Sequence, residues 1–440
     1  MTITYGLAPH NTLRNIMNQA YFTFCCTGPG KSVSGLGGDR ARAAVKGATD
    51  AELNAYRQFC GYPQYSTFSL AYFPQQVASA SNPFAKLIFN KLGNNGAYFL
   101  AHSVYAAPDN ETNREGNYFI HLIYPLPQSW SVRTALEMWG SPFWQTHDSD
   151  DISPELPELK DEDVPFGIIN QNSFTEFLRA SEKNQKKFHF LLKSLLASNS
   201  QNKIVLTGAP EEMAFCLWGA TKFLPPNLWQ NITFSTHERP NVNFPFTVVN
   251  FPLVAKPGSQ EELALHQLSN WPNVFFYSEN PEIPSSPVPE FTFADDVVKI
   301  CLDEAFEPLN KFYKEVPPEN RKTGTALELC WKFICHEDDI SSNDVQRALQ
   351  MPLLKSRAID MLMDNSRFTL DQQLEFYQRL DPARQDVLLN RMIAENSIEQ
   401  LRNNPDYAQL LISALTVNPP QEAPEKELSM LQKIKKALFD

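Results

Sequence analysis

The stretch Ala20-Tyr21-Phe22-Thr23-Phe24-Cys25-Cys26-Thr27-Gly28-Pro29-Gly30-Lys31-Ser32-Val33-Ser34-Gly35-Leu36-Gly37-Gly38-Asp39 decides what kind of fold opens the chain. Its first five residues are rich in aromatic and β-branched side chains and read as a strand. Gly30-Lys31-Ser32 matches the end of a phosphate loop, whose backbone N–H groups wrap an anion and whose next residues open a helix. That motif needs a glycine five positions before Gly30, and Cys25 stands there. Gly35, Gly37 and Gly38 follow where the helix should run, and glycine is a poor helix-interior residue. The stretch therefore reads as a strand and a glycine-rich turn of an α+β domain, not as an NTPase fold.

The surroundings of that turn differ from the rest of the chain. Over 440 residues the formal charge is −12, and 42% apolar content with 12% aromatics is ample for packed cores. The acidic balance argues against general nucleic-acid binding. Around the turn, however, Lys31, Arg40, Arg42, Lys46 and Arg57 face only Asp39, Asp50 and Glu52, which leaves a mildly basic region. Seven cysteines at irregular spacing fit reduced thiols and a cytoplasmic location, not a disulfide framework. No basic stretch followed by an apolar run opens the chain, so no secretory leader is expected. The charge-free stretch 58–85 is broken by Pro63, Pro74 and Pro83, so no membrane span is expected either. No motif with metal-ligand spacing or cofactor chemistry is present, and neither a metal nor a cofactor is expected.

Two linkers divide the sequence into three parts. Residues 148–165 are dense in Asp, Glu and Pro, and residues 281–291 carry Pro281, Pro284, Pro287 and Pro289. An α+β N-terminal domain is expected over 1–147, an α/β middle domain over 166–280 and a helical C-terminal domain over 292–440. In the first, strands are expected at 21–24, 66–73, 98–105 and 118–124, with helices at 50–59 and 81–91. In the second, a long amphipathic helix at 173–196 precedes strands at 203–206, 232–235, 246–251 and 274–277, with a helix at 211–223. The turn Gly208-Ala209-Pro210 between strand and helix has a shape that can hold an anion. In the third, short helices at 341–350 and 353–363 precede the capping box Thr369-Leu370-Asp371-Gln372. Asp381-Pro382 and Asn404-Pro405 mark further helix starts, and the whole resembles an α-solenoid or compact helical array.

One polar cluster suggests chemistry. Asp109 to Gly116 reads as a hairpin turn feeding a strand that carries Asn117 and His121. If the strands at 98–105 and 118–124 pair, His102 joins them. A thiol from Cys25, Cys26 or Cys60 would then complete a Cys–His–Asn nucleophilic site. The opposing reading makes both histidines hydrogen-bonded strand residues and Arg114 and Asn117 turn or interface residues. No His-Glu-x-x-His, Gly-x-Ser-x-Gly or kinase signature is present.

Three segments together resemble the bacterial GTPase-associated protein 1 family. They are Gln19-Ala20-Tyr21 through Ser34-Gly35-Leu36-Gly37-Gly38 to Tyr62-Pro63; Arg114-Glu115-Gly116-Asn117-Tyr118-Phe119-Ile120-His121; and Phe223-Leu224-Pro225-Pro226-Asn227-Leu228-Trp229 followed by Ile232-Thr233-Phe234-Ser235-Thr236. Asn113 stands where that family usually has glycine, and His237 where an aromatic is common. The resemblance covers roughly the first 250 residues. It implies a non-enzymatic adaptor or regulator of a GTPase encoded nearby, in a bacterial conflict system such as antiphage defence. On that reading Lys31, Ser34, Gly35, Gly37, Gly38, Arg40, Arg114 and Asn117 are the partner-binding candidates. The alternative from the residues is a thiol-dependent hydrolase or nucleotide-handling enzyme using the Cys/His/Asn cluster.

Overall fold

Strands from both the first and the middle part of the sequence lie in one sheet. The computed structural model describes residues 16–26, 38–60, 85–93, 96–105, 118–149, 151–251 and 258–362. The chain divides into two compact units, Met1–Glu328 and Leu329–Asp440. In the first, β1 (Ile16–Cys26), β2 (Gly38–Val45), β3 (Lys86–Lys91), β4 (Tyr98–Tyr105) and β5 (Tyr118–Tyr124) pair antiparallel in the order β3-β4-β5-β1-β2. The acidic stretch adds two short strands: β6 (Glu155–Leu156) beside β2, and β7 (Leu159–Lys160) beside β1. The strands β8 (Lys203–Thr207), β9 (Phe234–Ser235), β10 (Val248–Phe251) and β11 (Val274–Tyr277) pair in parallel as β11-β8-β10-β9. The halves meet where β9 runs antiparallel to β3, with Ile88 opposite Ser235 and Phe89 opposite Phe234.

Helices cover both faces, which is why the strand sequences are apolar on both sides. On one face Ala20, Phe22, Ile120, Leu122, Ala101 and Ile88 pack with Leu53, Tyr56 and Cys60 of α1 (Asp50–Cys60). The opposite face carries Gln19, Tyr21, His121 and His102, set by the registers Tyr21 opposite His121 and His102 opposite His121. After β5 come α2 (Val132–Glu137), α3 (Gln171–Ala180), α4 (Glu182–Ala197), α5 (Pro210–Phe223) and, after β10, α6 (Gln260–Ser269). Phe174 of α3 packs on Phe188 of α4 and on Trp218 and Phe223 of α5.

Four expectations change. The helix expected over 81–91 is strand β3 where it is described: its run Lys-Leu-Ile-Phe-Asn is buried on both faces, a pattern in which strand and helix share no distinguishing period. The single helix over 173–196 is two, α3 and α4. Ser181 breaks it, its extended backbone letting its hydroxyl cap the Asn184 N–H. Helices α2 and α6 were not anticipated. Arg42, counted in the basic region, is buried and donates to the Asp148 carboxylate (2.9 Å) and the Ser149 carbonyl (3.2 Å).

Later elements are helical: α7 (Thr292–Asp303), α8 (Glu307–Glu315), α9 (Gly324–Cys335), α10 (Ser342–Ala348) and α11 (Lys355–Leu362). Helix α7 lacks a capping side chain of its own; the Glu328 carboxylate accepts the Thr292 and Phe293 N–H groups instead (2.8 and 2.9 Å). In the second unit Ser341 and Asp344 form a capping box, and Asp344 also binds Lys332 (3.2 Å). The expected helix starts at 369, 381 and 404, the glycine-rich turn 27–37 and the strand at 66–73 lie outside the described residues. Among the described residues no helix is long and apolar enough to cross a membrane.

Gly219, inside α5, sits against the Phe174 and Phe188 rings, and a Cβ there would overlap the Phe174 ring. On helix propensity alone Gly219→Ala gains about 1 kcal/mol. Overpacking of a fully buried ring costs about 1–3 kcal/mol, so the variant is expected to be less stable. Urea denaturation reads the sign, and a stabilised variant would contradict this packing.

Candidate functional site

His121 and His102 are direct cross-strand partners on one face of the sheet, as strand pairing of 98–105 with 118–124 requires. Their states differ. The Gln145 N–H donates to His121 Nδ1 (3.2 Å), so that nitrogen carries no proton. Nε2 therefore carries it and donates to Gln19 Oε1 (3.1 Å), and the Gln19 amide donates onward to the Pro157 carbonyl (2.9 Å). Tyr21, Phe143 and Trp144 enclose the ring. His121 is thus a fully engaged neutral imidazole, and burial, with His102 beside it, pushes its pKa down to about 3.

His102 is also held near 3 by burial, but its Nδ1 has no hydrogen-bond partner among the described residues. Its ring stacks on Trp144 at 5.1 Å and 13°. It lines a cavity of about 500 Å³ together with Trp139, Gly140, Ser141, Trp144, Thr146, Ile168 and, at the start of α5, its N-cap Ala209 with Pro210 and Glu211.

Local chemistry builds the walls. The chain turns after α2, where Trp144 Nε1 donates to the Met138 carbonyl (2.8 Å), fixing the indole. The segment at 165–168 then lies against that turn: the Ser141 hydroxyl donates to the Pro165 carbonyl (2.6 Å) and the Ile168 N–H to the Trp139 carbonyl (2.9 Å). Gly167 permits this approach, since a Cβ there would overlap the Trp139 carbonyl oxygen. Phe166 and Ile168 on either side of Gly167 are left 62% and 47% exposed, and Ile168 lines the cavity. Sequence reading missed this arrangement. Its signal was the apolar Phe166-Gly167-Ile168-Ile169 after an acidic run and the aromatic turn Trp139-Gly140-Ser141-Pro142-Phe143-Trp144.

Other proposed positions fall elsewhere. Cys60 lies in the core on the opposite face of the sheet from His102 and His121, and burial pushes its thiol up to about 12. Cys25, Cys26, Gly38 and Arg40 belong to β1 and β2, and their side chains are not among those described. Lys31, Ser34, Gly35, Gly37, Arg114 and Asn117 lie outside the described residues. At the Gly208 turn, the place for an anion is filled by the chain's own carboxylates. Glu212 accepts the Ala209 N–H (3.2 Å), and Glu212 and Glu279 are both bound by Lys183 (2.9 and 2.8 Å) and by the fully buried Lys187. Among the described residues no group of His, Cys, Asp and Glu is arranged to hold a metal ion.

The depressed histidines make stability depend on pH. His102, His121 and His237, all buried and all near 3, stay neutral in the folded state while the unfolded chain protonates them below about 6.5. Each group therefore removes stability as pH falls, by up to about 1.4 kcal/mol per pH unit. Between pH 6 and pH 5, where most carboxylates stay ionised, the three together are expected to cost about 3–4 kcal/mol. Urea unfolding at the two pH values measures it, and an unchanged stability would show that these rings are not held neutral.

No curated protein matches the chain. The family model for GTPase-associated protein 1, N-terminal domain type 2, matches residues 17–162, which span β1 through β7 and include both histidines and the Trp139–Trp144 turn. Residues 17–162 are thus similar to that domain, and two of the three segments by which the sequence resembles the family fall within or overlap them.

Proposed function

We propose that this protein is a non-enzymatic adaptor or regulator that binds a GTPase encoded beside its gene, within a bacterial conflict system such as antiphage defence. The family match supports the GTPase association. The observation that carries the binding role is the contrast at the site. The imidazoles of His102 and His121 are held neutral far below physiological pH and the Cys60 thiol far above it, whereas Ile168 and Glu211 line a cavity and Phe166, two residues from Ile168, is exposed. A general base works best with a pKa near the working pH, and a nucleophilic cysteine needs a lowered one. A cavity with an exposed apolar rim suits recognition.

The GTPase partner is tested with tagged full-length protein and the products of neighbouring genes, in the presence of a GTP analogue, GDP or no nucleotide. Recovery of a GTPase that depends on the nucleotide is expected. Recovery of nothing in all three conditions would contradict the adaptor reading.

A further inference from the structure

The chemistry of the cavity beside His102 points to a particular kind of occupant. His102 is neutral, and Glu211, whose carboxyl is pushed up by burial and by Glu212 beside it, is the one acidic side chain among the lining residues. Glu211 makes no ion pair with a described residue, whereas its neighbour Glu212 is bound by Lys183 and Lys187. The positive end of α5 lies beside Glu211 and is worth about half a charge, which offsets only part of a carboxylate's full charge. Trp139 and Trp144 supply indole walls, and His102 supplies a neutral ring stacked on Trp144. Ile168, itself a lining residue, and Phe166, two residues before it in the chain, offer exposed apolar surface.

A carboxylate, a neutral imidazole and aromatic walls together suit a flat cation with several donors. Guanidinium fits this better than ammonium, because it stacks on aromatic faces and is more weakly hydrated, so it loses less on entering. A cavity of about 500 Å³ accommodates such a side chain and part of its apolar neighbours. The Phe166–Ile168 rim then has a role only if the cation arrives on a polypeptide. We propose that the cavity lined by His102, Trp139, Trp144 and Glu211 receives an arginine side chain from a partner protein, with apolar residues flanking that arginine seated on Phe166 and Ile168. This rests on the binding role proposed above, and it names the chemistry that the partner must present.

The test needs no GTPase, so its failure is separable from failure of the pull-down. The full-length chain is titrated calorimetrically with a capped Ala-Leu-Arg-Leu-Ala peptide, with the same peptide carrying citrulline for arginine, and with argininamide alone. Saturable binding is expected, with about tenfold weaker affinity for the citrulline peptide and for the Glu211→Gln variant, whose exposed position spares the fold. Phe166→Ala is expected to weaken the peptide but not argininamide. No saturable binding, or equal affinity for the citrulline peptide, would overturn the proposal. Argininamide binding as tightly as the peptide would also overturn it, and would assign the cavity to a small free cation.

Discussion

Everything about the site depends on the seam where β9 meets β3. That seam is short: two directly opposed pairs, Ile88 with Ser235 and Phe89 with Phe234. Side chains extend it. The Thr236 N–H donates to the Leu87 carbonyl (3.0 Å), and the Leu87 N–H donates to the Thr236 hydroxyl (2.9 Å), continuing the ladder where strand geometry ends. Asn250, fully buried, donates to both the Thr236 and Gly208 carbonyls (3.0 Å each), tying β9 to the end of β8. Beside the seam Lys86, 1% exposed, is paired with Glu238 at 2.6 Å. Breaking such a buried pair by removing one partner costs about 3–5 kcal/mol, so it acts against any slip of the two halves. Because the halves are joined here, the turn after α2 from one half and the start of α5 from the other face each other across the cavity.

Much of this was legible in the sequence, for physical reasons. Strands β4, β5 and β11 begin and end where their aromatic and β-branched runs do, because those runs are flanked by polar and turn residues. The sequence brought His102 and His121 together only on condition that their strands pair, and the strands do pair, with the two residues directly opposed. What was not legible was β3, whose burial on both faces removes the alternation that marks a half-exposed strand. Nor was the seam legible, since a contact between residues 88 and 235 leaves no local pattern. The rim escaped for the same reason: Phe166 matters only because Gly167 lets that segment lie on Trp139. Linker-like composition at 148–165 hid two short strands, because edge strands of two residues carry no periodicity.

The polar groups of the sheet illustrate how burial sorts chemistry from structure. His121 has each ring nitrogen committed, one to a backbone N–H and one to Gln19, and that chain of bonds ends on the Pro157 carbonyl next to β7. It joins β5, β1 and the acidic stretch in one hydrogen-bonded path. Lys183, Lys187, Glu212 and Glu279 do the same for α4, α5 and the end of β11. Such networks fix relative positions of elements and leave their members unavailable for reaction. Glu211, one residue from that network, and His102, one strand from His121, stand outside these networks and share a cavity.

On the proposed function, this cavity and the exposed apolar residues beside it are the surface by which the protein binds its partner. Hydrogen–deuterium exchange of the full chain, with and without the GTPase in its binding-competent nucleotide state, tests it most directly. Protection concentrated in residues 139–146, 165–168 and 209–211 is the predicted result. Protection confined to other segments, with these three unchanged, would contradict it.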